Sequence, residues 1–265
     1  MQAQFAAMLD SRQRAWNRSM MLTAGILAIV FASWYYVGLF DAERLGDGVP
    51  SLVSLVGEMF PPDFSQARNW LGPLLDTLAM SVAGTAVAVL LSLPIAVLAA
   101  RNTSPHPVVY QAARAVLNFL RSIPELIMGI VFVAAVGFGA LPGVLALGLH
   151  SVGMVGKFFA EAIEHADRAP VEAARAVGCN PLQVIFHGIL PQVLPQMADT
   201  AIYRWEYNFR ASTVMGMVGA GGIGFELMGS LRIMQYTEVS AILIVILVMV
   251  TLVDALSSLL RRNFK

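Results

Sequence analysis

Long apolar stretches alternate with shorter polar ones along this chain, and their lengths predict helices that cross a membrane. A spanning helix needs about 20 predominantly apolar residues, because each residue advances about 1.5 Å across a hydrocarbon core of about 30 Å. Six spans are predicted, with five or seven as alternatives, because a Gly/Pro hinge softens one boundary and because the fifth stretch contains charged residues. The stretches are 20–40, 75–100, 122–140, 141–160, 198–218 and 238–259.

Composition supports a membrane protein. Of the 265 residues, 57% are hydrophobic and only 13% are charged, whereas soluble domains carry about a quarter charged residues. The net charge of zero gives no reason to expect nucleic-acid binding. The single cysteine, Cys179, excludes an internal disulfide framework and a four-cysteine metal site. The sequence therefore predicts an all-α integral membrane protein.

The first apolar stretch is interpreted as a retained span and not as a cleaved signal peptide. It is longer than a typical signal core, and no small-residue cleavage site follows it.

The distribution of charge predicts the orientation in the membrane. Lys and Arg favour cytoplasmic loops, and arginines are frequent in the N-terminal tail (1–19), after the second span and at the C-terminus, whereas the 41–74 loop is rich in carboxylates. Both termini are therefore expected in the cytoplasm, which an even number of spans also requires. The 41–74 loop is expected outside and the 161–197 loop inside. The residues behind this assignment are Arg12, Arg14, Arg18, Asp41, Glu43, Asp47, Glu58, Asp63, Arg101, Arg114, Arg121, Arg261, Arg262 and Lys265.

The 161–197 loop has the pattern of two short helices. Pro170 is suited to the first turn of one helix, and Gly178 can supply a left-handed stop. Asn180 is expected to cap a second helix that begins at Pro181 and ends at Pro191. Leu182, Val184 and Ile185 give that helix an apolar face. A partner protein is expected to bury this face.

The same loop resembles the signature of ABC-importer permeases, E-A-A-x-x-x-G followed after nine residues by I-x-L-P. The matching residues are Glu172, Ala173, Ala174, Gly178, Leu190 and Pro191. Gly188 stands where the signature has Ile. The resemblance implies the MetI-like permease fold and identifies this loop as the contact with a cytoplasmic ATPase.

Three further stretches resemble the phosphonate branch of these permeases. They are Phe60-Pro61-Pro62-Asp63-Phe64, the run from Tyr203 to Thr213, and the run from Val218 to Gly224. The resemblance implies a homodimer in the bacterial cytoplasmic (inner) membrane. It also implies two cytoplasmic ATPase subunits that hold ATP and Mg, and a periplasmic or extracellular substrate-binding protein that delivers phosphonate, phosphite or hypophosphite. No cofactor is expected in this chain itself. A permease for another small solute is the alternative.

Charged residues inside the fifth span are candidates for the translocation path, because ionisable groups in a span usually face the bundle interior or a water-filled path. Helical spacing puts Arg204 and Asn208 on one face and Glu206 and Arg210 on another. Glu206–Arg210 is read first as a structural ion pair, since Glu four residues before Arg is the favourable order. Arg204 has no obvious partner on its helix and is the better candidate to meet an anion. Hydroxyls that could assist it belong to Ser212 and Thr213.

Two polar residues in other spans extend this list. Glu125 follows Pro124 near the inner end of the third span, where it can snorkel or accept hydrogen bonds, and His150 lies in the middle of the fourth. A lone His in a helix bundle is more often a packing residue than a gate, and both alternatives remain open here.

A glycine run follows the fifth span. Gly219, Gly221 and Gly224 match a G-x-G-x-x-G dinucleotide fingerprint, but that fingerprint needs a preceding strand, and spans flank this run. Together with Gly222, these residues are instead expected to form a tight turn at the outer end of the span, with a gating role as a hypothesis.

The sequence contains no G-x-x-x-x-G-K-[ST] loop, so ATP hydrolysis is assigned to partner subunits. Two rival classes are an ion-driven secondary transporter, which would need inverted repeats, and an intramembrane enzyme, for which no catalytic constellation is evident. The expected partners are a second copy of the chain, the ATPase subunits, the binding protein and membrane lipid. ATPase closure is expected to move the loop helices as rigid bodies and so to switch a path at the dimer axis.

Overall fold

The computed structural model describes residues 2–262, and these are helices joined by short turns, with no strand between them. Met1 and residues 263–265 lie outside the described part. They include Lys265, one of the basic residues from which a cytoplasmic C-terminus is predicted. The described chain forms two compact units, which divide between Glu58 and Met59.

The first unit holds two helices, α1 (Gln2–Val37) and α2 (Ala42–Glu58). The predicted tail is therefore helical from its second residue, and its helix continues into the first predicted span. The two helices are joined by a turn at Gly38, whose φ of +81° suits glycine. Helix α2 lies inside the segment predicted as a loop, although Pro50 falls within it.

The second unit contains the remaining helices in chain order. They are α3 (Leu71–Ala99), α4 (Pro107–Ser122), α5 (Glu125–Val136), α6 (Ala140–Glu164), α7 (Arg168–Ala176), α8 (Pro181–Gln183), a π-helical segment (Val184–Ile189), α9 (Leu190–Met215), a second π-helical segment (Gly216–Ala220), α10 (Ile223–Arg232) and α11 (Tyr236–Arg262).

Four helices of the described chain are long and apolar enough to cross a membrane, and the number is six when each of two bent helix pairs is counted as one span. The third predicted span, 122–140, differs most from the structure. Its helix α5 has only 12 residues, and the amphipathic helix α4 precedes it at an angle of 85°. The break has a local cause, because Pro124 disfavours helical geometry at Ile123, whose ψ is 121°.

Helix α6 is the centre of the second unit and packs against α3, α4, α5 and α9. Small residues permit these contacts, as is common between helices in membranes. A Cβ at Gly153 would lie 2.7 Å from the carbonyl oxygen of Leu117. Residues that are almost fully buried around this crossing include Leu117, Val152, Val155 and Phe159.

Candidate functional site

The loop between α6 and α9 begins with the first predicted helix, α7, and the residues predicted to start and stop this helix do so. Asp167 caps α7 by accepting a hydrogen bond from the N–H of Ala169 at 3.1 Å. Pro170 lies in the first turn. The helix ends before Gly178, whose φ of +86° is left-handed. The prediction of a helix between a proline-containing start and a glycine stop is confirmed.

The second predicted helix starts as expected but does not end as expected. Asn180 and Gln183 form a reciprocal capping box with two hydrogen bonds of 2.9 Å. The prediction that Pro191 ends the helix is wrong, because the chain stays helical through a π-helical segment into α9. Proline has no N–H to donate, and it lies here in the first turn of an α-helix, where that loss costs little.

The apolar face of this segment is divided between the bundle and the surface. Val184 is 5% exposed and packs within the chain, so the prediction that a partner covers it is wrong. Leu182 and Phe186 are exposed, as is Val177 at the end of α7. Leu182 and Phe186 line an apolar groove together with Leu93, Pro94 and Val97 of α3. On α7, Glu172 and Ala173 are exposed as well.

Gly188, the departure from the signature, lies where α7 comes closest to the π-helical segment. A Cβ at this position would be 3.3 Å from the Cα of Val171 and 3.5 Å from the carbonyl oxygen of Pro170. Gln192 holds the same junction, because its side chain accepts from the N–H of Asp167 at 2.9 Å and donates to the carbonyl oxygen of Gly188. The absence of a side chain at Gly188 therefore permits α7 to pack directly on the helix that leads into α9.

A chain of buried polar groups joins three helices near their middles. Asn208 on α9 donates to Thr85 Oγ1 on α3 at 2.9 Å and accepts from Ser151 Oγ on α6 at 3.0 Å. Arg204 Nε donates to the same Ser151 oxygen at 2.8 Å. Arg204 and Asn208 do share one face of α9, as their spacing predicted, and this face points into the bundle.

Arg204 is 2% exposed, and its partners include Tyr207 on its own helix as well as residues of α5 and α6. Its guanidinium carbon lies 4.2 Å from the centre of the Tyr207 ring, and Nη1 contacts the sulfur of Met154 at 3.3 Å. Nη2 faces Glu125 Oε2 at 4.0 Å. Glu125 Oε1 accepts from the Tyr207 hydroxyl at 3.1 Å, and His150 Nε2 lies 3.7 Å from Glu125 Oε2. Arg204, Glu125, His150 and Tyr207 thus form one cluster, called the mid-bundle cluster below.

Glu206 and Arg210 form the predicted ion pair, and Glu206 has additional partners on α11. Its Oε2 accepts from Ser257 at 2.9 Å and from Arg261 at 3.3 Å. Arg210 also lies 3.4 Å from Asp254. Since all of these groups join α9 to α11, the arrangement stabilises the helix packing.

The two hydroxyls predicted near Arg204 lie further along α9 and are not part of the mid-bundle cluster. Ser212 is fully buried and donates to the carbonyl oxygens of Phe209, at 2.7 Å, and Thr77 on α3, at 3.2 Å. Thr213 donates to the carbonyl oxygen of Arg210 at 2.7 Å. Tyr207 joins the cluster through its place on α9, three residues after Arg204, whereas Glu125 and His150 are brought there by helix packing.

The glycine run forms the tight turn that its composition predicted. Gly219, Gly221 and Gly222 all have positive φ, and the helical run before them meets α10 at 56°. The turn is fixed from two sides, because the Gly219 carbonyl accepts from the N–H of Gly139 at 3.2 Å and the Ile223 N–H donates to Thr77 Oγ1 at 2.9 Å. Gly224 lies in the first turn of α10 against α9. Helices precede and follow the run, so the dinucleotide interpretation stays rejected.

The Phe60–Phe64 stretch lies in the segment before α3 and contacts the start of α11. The Asp63 N–H donates to the Thr237 carbonyl at 3.0 Å, and its side chain accepts from the Ser65 N–H at 2.8 Å. This segment and the glycine turn both lie at the end of the bundle opposite α7.

Sequence comparison finds close relatives among transport permeases. The chain is 70% identical over 250 residues to the phosphite transport system permease protein PtxC of Stutzerimonas stutzeri, covering 94% of this chain and 91% of that protein. It is 45% identical over 224 residues to the phosphate-import permease protein PhnE of Mycolicibacterium smegmatis, covering 84% of this chain and 42% of that protein.

Comparison with solved structures finds the fold of this chain in an ABC transporter. An inward-facing structure of the MetNI methionine ABC transporter matches with a TM-score of 0.63 at 23% identity, covering 74% of this chain and 96% of the matched chain. The model of the family described as "binding-protein-dependent transport system inner membrane component" matches residues 92–265. With the helical bundle and its α7 loop, these matches establish that the chain belongs to the inner membrane components of binding-protein-dependent transport systems.

Proposed function

We propose that this chain is the permease subunit of an ABC importer that carries phosphite or a closely related phosphorus oxyanion. The observation that carries the proposal is the 70% identity, over nearly the whole length of both chains, to a permease named for phosphite transport. Relatives at lower identity are named for phosphate and phosphonate. The shared chemistry of these cargoes is a small tetrahedral oxyanion on phosphorus.

The mid-bundle cluster is consistent with such a cargo. Arg204 is a cation buried near the middle of the 26-residue helix α9, and intramembrane charges of this kind mark substrate paths. An importer must also release what it binds, so one arginine with a few neutral donors is a suitable arrangement. Asn208 fixes the position of Arg204 through Ser151.

We infer that α7 and the following π-helical segment dock on an ATPase subunit. The side chains of Glu172 on α7 and of Val177 at its end are exposed, so a charge and an apolar group are both available for this contact. Since this segment runs without interruption into α9, a push on α7 would move the helix that carries Arg204 and the glycine turn. ATP and Mg would be held by the ATPase subunits.

Two copies of the chain are proposed to enclose the path, with α7 on the cytoplasmic side. The glycine turn and the Phe60–Phe64 stretch then face the compartment from which a binding protein delivers the cargo. Both termini are cytoplasmic in this arrangement, in agreement with the charge distribution.

Reconstitution tests the proposal. The chain would be assembled with its ATPase subunits in liposomes, and uptake of phosphite would be measured with and without ATP and the binding protein. Phosphate and methylphosphonate serve as competing cargoes. The proposal requires uptake that depends on both ATP and the binding protein. Uptake driven by an ion gradient without ATP would instead support a secondary transporter.

A further inference from the structure

The mid-bundle cluster lies where the third span is broken. The residue before the break, Ile123, leaves the helical conformation, and its carbonyl oxygen lies 3.1 Å from His150 Nδ1. Because a carbonyl can only accept, Nδ1 carries the hydrogen of this bond. The other ring nitrogen, Nε2, faces Glu125. Helix α5 then begins at Glu125, beside the middle of α6 and α9. The amino end of a half-helix is thus brought into the interior of the bundle.

The amino end of a helix attracts anions, because the N–H groups of its first turn have no carbonyl partner inside the helix and because the helix dipole is positive there. Broken spans in transporters use such ends to hold anionic groups of the cargo. Here the group at the end of α5 is the carboxylate of Glu125, which belongs to the chain itself.

Two buried atoms of the cluster lack hydrogen-bond partners in the described structure. They are Arg204 Nη2 and Glu125 Oε2, and they face each other at 4.0 Å. The Arg204 side chain is only 3% exposed, and leaving a buried charged donor unpaired is costly. The separation is too long for a hydrogen bond.

The carboxylate of Glu206 differs from that of Glu125. Both carboxylate oxygens of Glu206 have hydrogen-bond partners, namely Arg210 on one and Ser257 and Arg261 on the other. Glu125, by comparison, contacts Arg204 without bonding it, and its side chain is 21% exposed. The Glu125 side chain is thus partly exposed, whereas Arg204 is enclosed.

We propose that the start of α5, Arg204 and Tyr207 form a subsite for a tetrahedral oxyanion half-way across the membrane, and that the Glu125 carboxylate holds this subsite in the cargo-free transporter. This inference rests on the proposed function for the identity of the cargo. An arriving oxyanion takes the Arg204 Nη2 donor and the Tyr207 hydroxyl, and Glu125 turns away towards its exposed side. Competition by Glu125 keeps the affinity for cargo low, as a transport path requires.

The test compares phosphite binding to the permease–ATPase complex in nanodiscs, without ATP or binding protein. Glu125→Gln keeps an acceptor for Tyr207 but removes the charge that competes for Arg204. Losing one charged competitor is expected to tighten phosphite binding at least about tenfold. Glu164→Gln is the matched control. Glu164 also pairs with an arginine, at 3.0 Å, and its side chain is 22% exposed. Because Glu164 lies outside the cluster, the Glu164→Gln complex should bind phosphite with the affinity of the wild type.

A double variant, Glu125→Gln with Arg204→Gln, removes both charges and leaves no unpaired ion, so it avoids a folding defect caused by one buried charge. It should lose the gain in affinity. The proposal is overturned if Glu125→Gln binds phosphite no more tightly than the wild type, if Glu164→Gln gains equally, or if the double variant keeps the gain. Uptake by the wild-type complex is measured in parallel. Tightened binding in Glu125→Gln without any wild-type phosphite uptake would refute the proposed cargo and still support the subsite.

Discussion

Replacing Gly188 by isoleucine, the residue that the permease signature has at this position, should separate ATP hydrolysis from transport. In this chain α7 packs directly on Gly188, and even a Cβ would lie 3.3 Å from the Cα of Val171. Isoleucine adds three further carbons in the same space. Because the nearest atoms belong to the backbone of α7, the helix must move as a whole.

The magnitude follows from overpacking. Forcing extra methyl and methylene groups into a packed contact costs about 1–3 kcal/mol, which corresponds to a factor of roughly 5–150 in the population of the docked α7. The hydrogen bonds between Gln192 and Asp167 span the same contact and would weaken with it. Gly188→Ala, which needs a shift of only a few tenths of an ångström, should stay close to the wild type.

The assay is the number of phosphite molecules taken up per ATP hydrolysed by the reconstituted complex. We expect Gly188→Ile to hydrolyse ATP with much less uptake, and Gly188→Ala to retain most of the wild-type ratio. A wild-type ratio in Gly188→Ile would refute the inference that α7 acts through a rigid contact with the helix leading into α9.

Three further predictions concern other contacts. Gly178→Ala should also lower uptake per ATP, because a φ of +86° costs a non-glycine residue about 1–2 kcal/mol, and an unchanged ratio would contradict this. Gly153→Ala should lower the unfolding temperature of the purified complex, since its Cβ would lie 2.7 Å from a backbone oxygen, whereas Gly229→Ala, with open space around it, should not. Glu206→Gln should cost about 1–3 kcal/mol of stability, because it weakens the hydrogen bond to the fully buried Ser257 and removes the charge that pairs with Arg210 and Arg261. Asp254→Asn, in a more exposed pair, should cost less than about 1 kcal/mol, and equal losses in the two variants would refute the distinction.

Features that depend on local sequence were predicted well. The lengths of the apolar stretches gave the main spans, and Gly178 and Asn180 marked a helix end and a helix start, because backbone conformation and capping are decided within a few residues. Two local conflicts were resolved differently by the fold. Pro191 continues a helix because the π-helical segment before it leads directly into α9. Helix α2 forms within the stretch predicted as the 41–74 loop.

The mid-bundle cluster could be predicted only in part. The spacing of Arg204 and Asn208 gave their common face, but the partners on α3, α5 and α6 lie more than 50 residues away in sequence. Helix packing decides which of these groups meet. The break at Pro124 was the local signal that could have been used, since a proline inside an apolar stretch ends or kinks a helix. That signal would have shown Glu125 to be the first residue of a half-helix.

Uptake of phosphite by liposomes containing the permease and its ATPase subunits would show whether this chain carries a phosphorus oxyanion. We expect accumulation inside the liposomes only when both ATP and the binding protein are supplied. Related phosphorus oxyanions should compete in proportion to their affinity for the binding protein. ATP- and binding-protein-dependent uptake of another solute, with no accumulation of phosphite, phosphate or methylphosphonate, would contradict this expectation.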